Sequence, residues 1–180
     1  GASWLQGTTL PTMNDRELER LYDAYASGVF RYLVTFTKTE ADARDLLQDL
    51  FIKLACGTTQ ESWQSEKAWL YRLAHNLAVD WLRRRKVRRA TEVRLLQELA
   101  DGCQLADDPD ARLLGERFTD ALRSLPAEQG RVMHLKLCDG LTFEEIAEAQ
   151  GIPINTAASR YRYALEKLRA LLRPLYEELT

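Results

Sequence analysis

Two stretches of the chain carry residue types that could do chemistry on a polyanion. The first is "WLRRRKVRR", Trp81 to Arg89, which sets six cations (Arg83, Arg84, Arg85, Lys86, Arg88, Arg89) into nine residues of a protein with formal net charge −2. A basic helix end can complement the negative pole of the helix dipole, but that effect is confined to the last turn. The excess charge fits phosphate neutralisation, in which each contact releases counterions and stabilises a nucleic-acid complex without reading sequence. Trp63, Trp69, Tyr71 and Trp81 surround the same loop and helix. Aromatic faces beside cations are one way of holding unpaired bases, although Trp69 and Trp81, at helical spacing, read first as core.

The second stretch is "DGLTFEEIAEAQGIPINTAASRYRYALEKLRALLRP", Asp139 to Pro174. It reads as a turn at Asp139-Gly140, a capping box from Thr142 to Glu145, a short helix with small Ala147 facing its partner, and a turn at Gly151. A second helix follows, opened by Pro153 and closed by Pro174. This is the spacing of a helix-turn-helix. The second helix offers Asn155, Thr156, Ser159, Arg160, Arg162 and Tyr163 near its N-terminal half, short polar and basic groups suited to a major groove. The bland alternative is a helical hairpin with a solvated basic face. Two positions depart from the motif: Gln150 stands where an aliphatic residue is usual, and Ala157 is a small core filler.

Other groupings are poorer. His134 and Cys138 lie four apart on one helix, but two ligands without partners do not make a metal site. Glu144-Glu145 and Glu177-Glu178 are adjacent on helices and point in different directions. Neither a phosphate loop nor a nucleophile triad occurs, so no enzyme, no cofactor and no metal are expected.

The elements that must position these residues are helices throughout. Leu18, Leu21, Tyr22, Tyr25, Val29, Phe30 and Leu33 recur at helical spacing from Glu17 to Phe36, and Ala43, Leu46, Leu47, Leu50, Phe51 and Leu54 do so from Glu40 to Ala55. "CGTTQESWQSE", Cys56 to Glu66, breaks the pattern, and a third helix from Lys67 runs straight into the basic stretch. Helical spacing returns at Ala111 to Leu122 and pauses at "SLPAEQ", with Ser124 as N-cap and Pro126 in the first turn. No window alternates with period two long enough to be a strand. The expected fold is all-α, with two small helical domains joined by a flexible acidic linker.

Charge by segment supports that division. Residues 15–90 hold 14 Lys/Arg against 11 Asp/Glu, residues 91–111 hold 1 against 6, and residues 112–180 hold 10 against 10. A mildly basic block (15–90), an acidic linker (91–111) and a neutral block (112–180) therefore succeed one another. Gly1-Ala2-Ser3 reads as a tag remnant, and residues 1–14 are left out of the fold. The three cysteines, Cys56, Cys103 and Cys138, form no CxxC pair and read as reduced thiols. No apolar stretch approaches the roughly 20 residues needed to cross a bilayer, so a cytoplasmic protein with no membrane insertion of its own is expected.

"DARDLLQDLFIKL" (Asp42 to Leu54), "AWLYRLAHNLAVDWLRRR" (Ala68 to Arg85) and "SLPAEQGRVMHLKLCDGLTFEEIAEAQGIPINTAASRYRYALEKLR" (Ser124 to Arg169) together resemble the extracytoplasmic-function (ECF) class of bacterial RNA polymerase sigma factors. The resemblance covers nearly all of Glu17 to Arg173, with the segments in the right order. It implies that residues 15–90 open the promoter −10 element and that 112–180 read the −35 element. It also implies that the loop from Cys56 to Lys67 grips a flipped base, with Leu73 and Asn76 lining its pocket. Extrusion suits recognition because an unstacked base exposes its whole pairing edge.

By the same carry-over the −10 residues are Trp63, Lys67, Arg72, Leu73, Asn76, Asp80, Arg83, Arg84, Arg85 and Lys86. The −35 residues are Asn155, Thr156, Ser159, Arg160, Arg162 and Tyr163. Asp45, Gln48 and Asp49, in "DLLQDLF", would dock on the coiled coil of the polymerase largest subunit. The acidic linker would thread toward the polymerase active centre, or serve only as a solvated spacer. Implied partners are core RNA polymerase, promoter DNA and an anti-sigma factor, with a monomer when free. Ala157-Ala158-Ser159-Arg160 lacks the basic residue common in family recognition helices, and Gln60 replaces a loop aromatic. Two rivals remain: a stand-alone helix-turn-helix regulator and a sigma-like decoy that binds an anti-sigma factor.

Overall fold

The computed structural model describes residues 13–57, 65–88 and 120–178, and every regular element among them is helical. Helix α1 (Asp15–Thr37) begins where Asn14 Oδ1 accepts the Glu17 N–H at 2.8 Å, with Asp15 and Glu17 complementing the positive pole of the first turn. It ends at Lys38, which takes a left-handed φ of 62° and returns its N–H to the Val34 carbonyl. Thr39 then caps α2 (Glu40–Ala55) directly, so the two helices form a tight antiparallel hairpin. Helix α3 (Glu66–Arg88) packs across both. Its start is held by Ser65, whose Oγ accepts the Ala68 N–H at 3.0 Å. A bidentate ion pair from Arg20 to Glu66, at 2.9 and 2.5 Å, ties it to α1.

The second group of helices opens with a helical stretch at 120–123, followed by α4 (Ala127–Leu137), α5 (Phe143–Gln150) and α6 (Ile154–Glu178). The expected capping box is present: Thr142 Oγ1 accepts the Glu145 N–H at 3.2 Å, and Glu145 Oε2 accepts the Thr142 N–H at 2.9 Å. Gly151, at φ +65°, makes the turn between α5 and α6 in a conformation that an L side chain adopts only with strain. Helices α4, α5 and α6 pack on one another as a helix-turn-helix unit.

Two local readings are corrected. Ser124 does not cap α4; its Oγ donates to the Ala121 carbonyl at 2.7 Å and closes the preceding helix, while the Pro126 carbonyl accepts the first bond of α4 from Gly130. A serine hydroxyl satisfies an orphan carbonyl as readily as an orphan amide. Nor does Pro174 end α6, which continues to Glu178. The proline is exposed near the helix end; it removes one backbone bond to the preceding turn, and the Arg173–Glu177 pair at 3.2 Å braces the helix there.

The apolar residues do not separate into two closed cores. A small cluster of Ala121, Leu125, Met133, Ala164 and Leu168 belongs to the second group alone. The larger cluster joins Leu21, Val29, Tyr32, Leu33, Leu50, Leu54, Leu70 and Ala74 of the first group to Val132, Leu135, Leu141, Ile146, Ala149 and Ala157 of the second. Helix α5 lies on α3, and α4 on α1. Because Thr142 sets the start of α5, Thr142→Ala should cost about 1 kcal/mol. Thermal unfolding followed by circular dichroism checks this; an unchanged midpoint would mean that packing alone fixes the helix start.

Candidate nucleic-acid interface

Helical periodicity brings most of the predicted side chains together. On α3, Arg72, Leu73, Asn76, Asp80, Arg83, Arg84 and Lys86 fall within an arc of about 160°. Asn76, Asp80, Arg83, Arg84 and Lys86 are exposed along it, and Leu73 is half-buried against the core. Asp80 Oδ1 lies 3.7 Å from Arg83 Nη1, a solvated pair of little net strength. Lys67 and Arg85 fall on the opposite side. Arg85 reaches Asp42 on α2 at 3.4 Å and stacks over Trp81 at 4.8 Å from the ring centroid, so this cation helps to hold α3 on α2. Trp69 is buried core and Trp81 half-buried. Trp63 lies outside the described residues.

On α6, Asn155, Thr156, Ser159, Arg160, Arg162 and Tyr163 also fall on one arc of about 160°. Asn155, Arg162 and Tyr163 are exposed. Ser159 Oγ donates back to the Asn155 carbonyl at 2.8 Å, and Arg160 is paired with Glu128 of α4 at 2.9 Å. Ala157 is fully buried, as its size predicts. Asp45, Gln48 and Asp49 stand exposed on the free face of α2. Gln48 borders a groove of about 880 Å³ between α1 and α2, lined by Tyr22, Phe51 and Ile52 among others.

Sequence reading missed a polar seam between the two groups of helices. Ser65 Oγ donates to Glu145 Oε1 at 2.7 Å, Lys67 Nζ donates to the Asp139 carbonyl, and Arg72 Nη1 donates to the Glu148 carbonyl at 3.3 Å. Gln150 Nε2 donates to Tyr32 Oη at 3.4 Å, and that hydroxyl lies 3.0 Å from His75 Nδ1. The amide nitrogen donates to the Tyr32 oxygen, and the direction of the Tyr32–His75 bond follows the tautomer of the imidazole. Arg131 of α4 sits 3.7 Å over the Phe36 ring of α1. The one available signal was Gln150, a polar residue at an apolar position of the motif.

The ionisable groups of the seam are perturbed accordingly. Burial, aided by Arg131, Arg72 and Arg160, pushes His75 down to about 4. Burial also opposes the charge on His134, but hydrogen bonds to Asp139 and Cys138 outweigh it and raise the group to about 9. His134 Nε2 lies 3.2 Å from Asp139 Oδ2, and the Asp139 side chain is 4% exposed. Burial raises Tyr32 and Tyr71 well above the usual phenol range, Tyr71 further so because its hydroxyl meets Asp139.

The fold defines an all-helical, two-domain protein whose second domain is a helix-turn-helix. Residues 21–88 match the family model "Sigma-70 region 2", and residues 115–168 match "Sigma-70, region 4". The chain is 30% identical to RNA polymerase sigma factor YlaC of Bacillus subtilis over 158 residues, covering 83% of this chain and 90% of that protein. It is 27% identical to ECF RNA polymerase sigma factor SigX of the same organism over 171 residues, covering 92% of this chain and 88% of that protein. Among solved structures, the sigma factor RpoE in complex with the anti-sigma factor NepR from Bartonella quintana aligns with TM-score 0.68 at 23% identity, over 88% of this chain and 98% of that one. CnrH in complex with the cytosolic domain of CnrY aligns with TM-score 0.61 at 22% identity, over 89% of this chain and 90% of that one. The chain belongs to the sigma-70 family and is an alternative sigma factor of the ECF class.

The two histidines set a pH profile. Between pH 6.5 and 4 the unfolded chain binds a proton at His75 that the folded chain refuses, so stability falls as pH is lowered through that window. Between pH 6.5 and 9 the folded chain retains a proton at His134 that the unfolded chain releases, so stability falls as pH rises. Each limb should be on the order of 3 kcal/mol. Melting curves across pH 4–9 should show His75→Gln flattening the acid limb and His134→Gln the alkaline one; unaltered limbs would remove these assignments.

Proposed function

We propose that the chain directs core RNA polymerase to its promoters through three faces. The exposed arc of α3 from Leu73 and Asn76 to Arg83, Arg84 and Lys86 engages the −10 element. The arc of α6 from Asn155 to Tyr163 enters the −35 major groove. The free face of α2, with Asp45, Gln48 and Asp49, docks on the polymerase. The observation that carries this reading is the first of these arcs: a polar and apolar pair, Asn76 and Leu73, sits about two to three and a half turns ahead of a cluster of exposed cations on the same helix face.

That order suits strand capture. Arg83, Arg84 and Lys86 neutralise backbone phosphates and set the register, while Leu73 and Asn76 give an extruded base one apolar wall and one hydrogen-bonding edge. On α6, Asn155 and Arg162 offer the side-chain types that pair with adenine and guanine edges. The mechanism is binding and strand separation, with no covalent step, no cofactor and no metal. One aligned neighbour was solved with an anti-sigma factor; an anti-sigma partner is proposed for this chain on that likeness. Among the described residues no helix is long and apolar enough to cross a membrane, and action in the cytoplasm, where the polymerase is, belongs to the same proposal. The same reading takes the free chain as a monomer, with domains at 15–90 and 112–180 and an acidic linker at 91–111.

In vitro transcription tests the proposal: purified chain and sigma-free core polymerase on a pool of genomic promoter fragments should give transcript starts that share upstream −35 and −10 elements. Core binding without any start would instead favour the anti-sigma decoy. Asn76→Ala should lose open-complex formation while retaining core binding, and normal opening by that variant would sink the pocket assignment. Replacing Arg83, Arg84 and Lys86 together with Ala should lower the slope of log affinity against log salt by up to about 3; an unchanged slope would remove the phosphate contacts.

A further inference from the structure

His134 and Cys138 stand four apart at the end of α4, and the fold adds a third group to them. Cys138 is the C-cap, with its N–H on the His134 carbonyl at 2.8 Å. Its side chain also hydrogen-bonds the His134 side chain, as residues four apart on one helix face can. The next residue turns back, so that Asp139 Oδ2 lies 3.2 Å from His134 Nε2. The three groups are graded from surface to interior: Cys138 is exposed, and the His134 and Asp139 side chains are 12% and 4% exposed. Tyr32 lies along the imidazole, with ring centroids 6.3 Å apart and planes at 26°, and the Tyr71 hydroxyl backs Asp139. Among the described residues no group of three His, Cys, Asp or Glu could hold a metal ion, so this arrangement is not a cation site.

A nucleophile beside an imidazole that a carboxylate orients is an arrangement that activates thiols and hydroxyls. Burial opposes charge on the His134 ring, but its hydrogen bonds to Asp139 and Cys138 keep it cationic at neutral pH. The attacking form of a cysteine is the thiolate, and an imidazolium fixed beside the sulfur meets the negative charge as it forms. The carbonyl pole of α4 acts against that charge. Cys56 separates the two effects. It too is an exposed C-cap, at the end of α2, but no histidine accompanies it: the chain has two, and His75 has its Nδ1 3.0 Å from the Tyr32 hydroxyl.

We propose that Cys138 is a modification site, a thiol set against the His134–Asp139 pair that exchanges with small disulfides of the glutathione type and so carries a mixed disulfide on the turn between α4 and α5. The Cys138 proton leaves to water and the sulfur attacks one sulfur of the disulfide. The new S–S bond forms as the old one breaks, and the departing thiolate keeps the electron pair and takes a proton from water. Cys138 is oxidised, and one half of the small disulfide is released as a reduced thiol. The exchange reverses when thiol is in excess, so occupancy of the site follows the thiol-to-disulfide ratio of the solution. Nothing in this chemistry depends on promoter binding.

Competition between the two exposed cysteines tests the site. The full chain carrying Cys103→Ser is incubated at pH 7.5 with oxidised glutathione, quenched with acid at intervals and mapped by peptide mass spectrometry. The glutathione adduct should form on Cys138 at least about fivefold faster than on Cys56, and the two rates should converge in urea. His134→Gln, checked for folding by circular dichroism, should bring the Cys138 rate to within about twofold of Cys56 while leaving Cys56 unaltered. Dithiothreitol should remove every adduct. A Cys138 rate equal to or below that of Cys56 in the native chain would overturn the site, and that comparison decides alone if the histidine variant does not fold. A folded His134→Gln chain with the ratio unchanged, or a Cys138 product that resists dithiothreitol, would overturn it as well.

Discussion

The docked arrangement depends on how closely the Asp139 turn can approach α1, and that distance is set by the missing side chain of Gly28. Tyr71 and Asp139 converge on this point, each almost wholly out of solvent. A buried carboxylate without partners would be prohibitively costly. Here the Tyr71 hydroxyl and the cationic His134 supply them. His134 belongs to the same domain as Asp139 and compensates its charge there, while the Tyr71 hydroxyl reaches the carboxylate from the first domain only when the domains meet. Around this point the same rule recurs: Tyr32 and His75 from one side are completed by Gln150 from the other. Apolar burial supplies most of the attraction between the domains, while the polar groups fix the register in which they meet.

Cations are divided between two tasks by their place on α3. Arg83, Arg84 and Lys86, toward the end of the helix, remain in solvent, whereas Lys67 and Arg72, nearer its start, are engaged by the second domain. Arg85 is a third case, spent on Asp42 and Trp81. The basic run that stands out in the sequence is therefore not a uniform binding surface. A near-neutral chain suits this division, because few free cations on a weakly acidic protein bind DNA poorly alone.

Most of the fold was legible because its signals are local. Helix spacing, the Thr142–Glu145 box and the Gly151 turn each reside in a handful of neighbouring residues, and the three helices of the first domain and the helix-turn-helix followed from them. The membership of the two arcs proposed to face DNA was legible for the same reason: residues three or four apart share a helix face whatever lies beyond. The seam was not, because Tyr32, His75, Asp139 and Gln150 are brought together by contacts spanning up to 118 residues, and no spacing rule reaches that far. The errors at Ser124 and Pro174 have a related cause. Both residues punctuate helices, but whether a serine closes one helix or opens the next is decided by which backbone group is left orphaned nearby.

Two helical domains of this size face a common difficulty, since small domains bury a low fraction of their surface and are marginal alone. Docking extends the core of the first onto Val132, Leu141, Ile146 and Ala149 of the second. Had the junction been wholly apolar, parting it would expose surface that only another apolar partner could cover, and the closed form would persist. The polar atoms change that balance. Lys67, Arg72, Ser65, Glu145 and Gln150 lie at the edges of the contact or donate to groups that water or phosphate can match, so they lose little when separated. They contribute strongly to where the domains dock and weakly to how tightly.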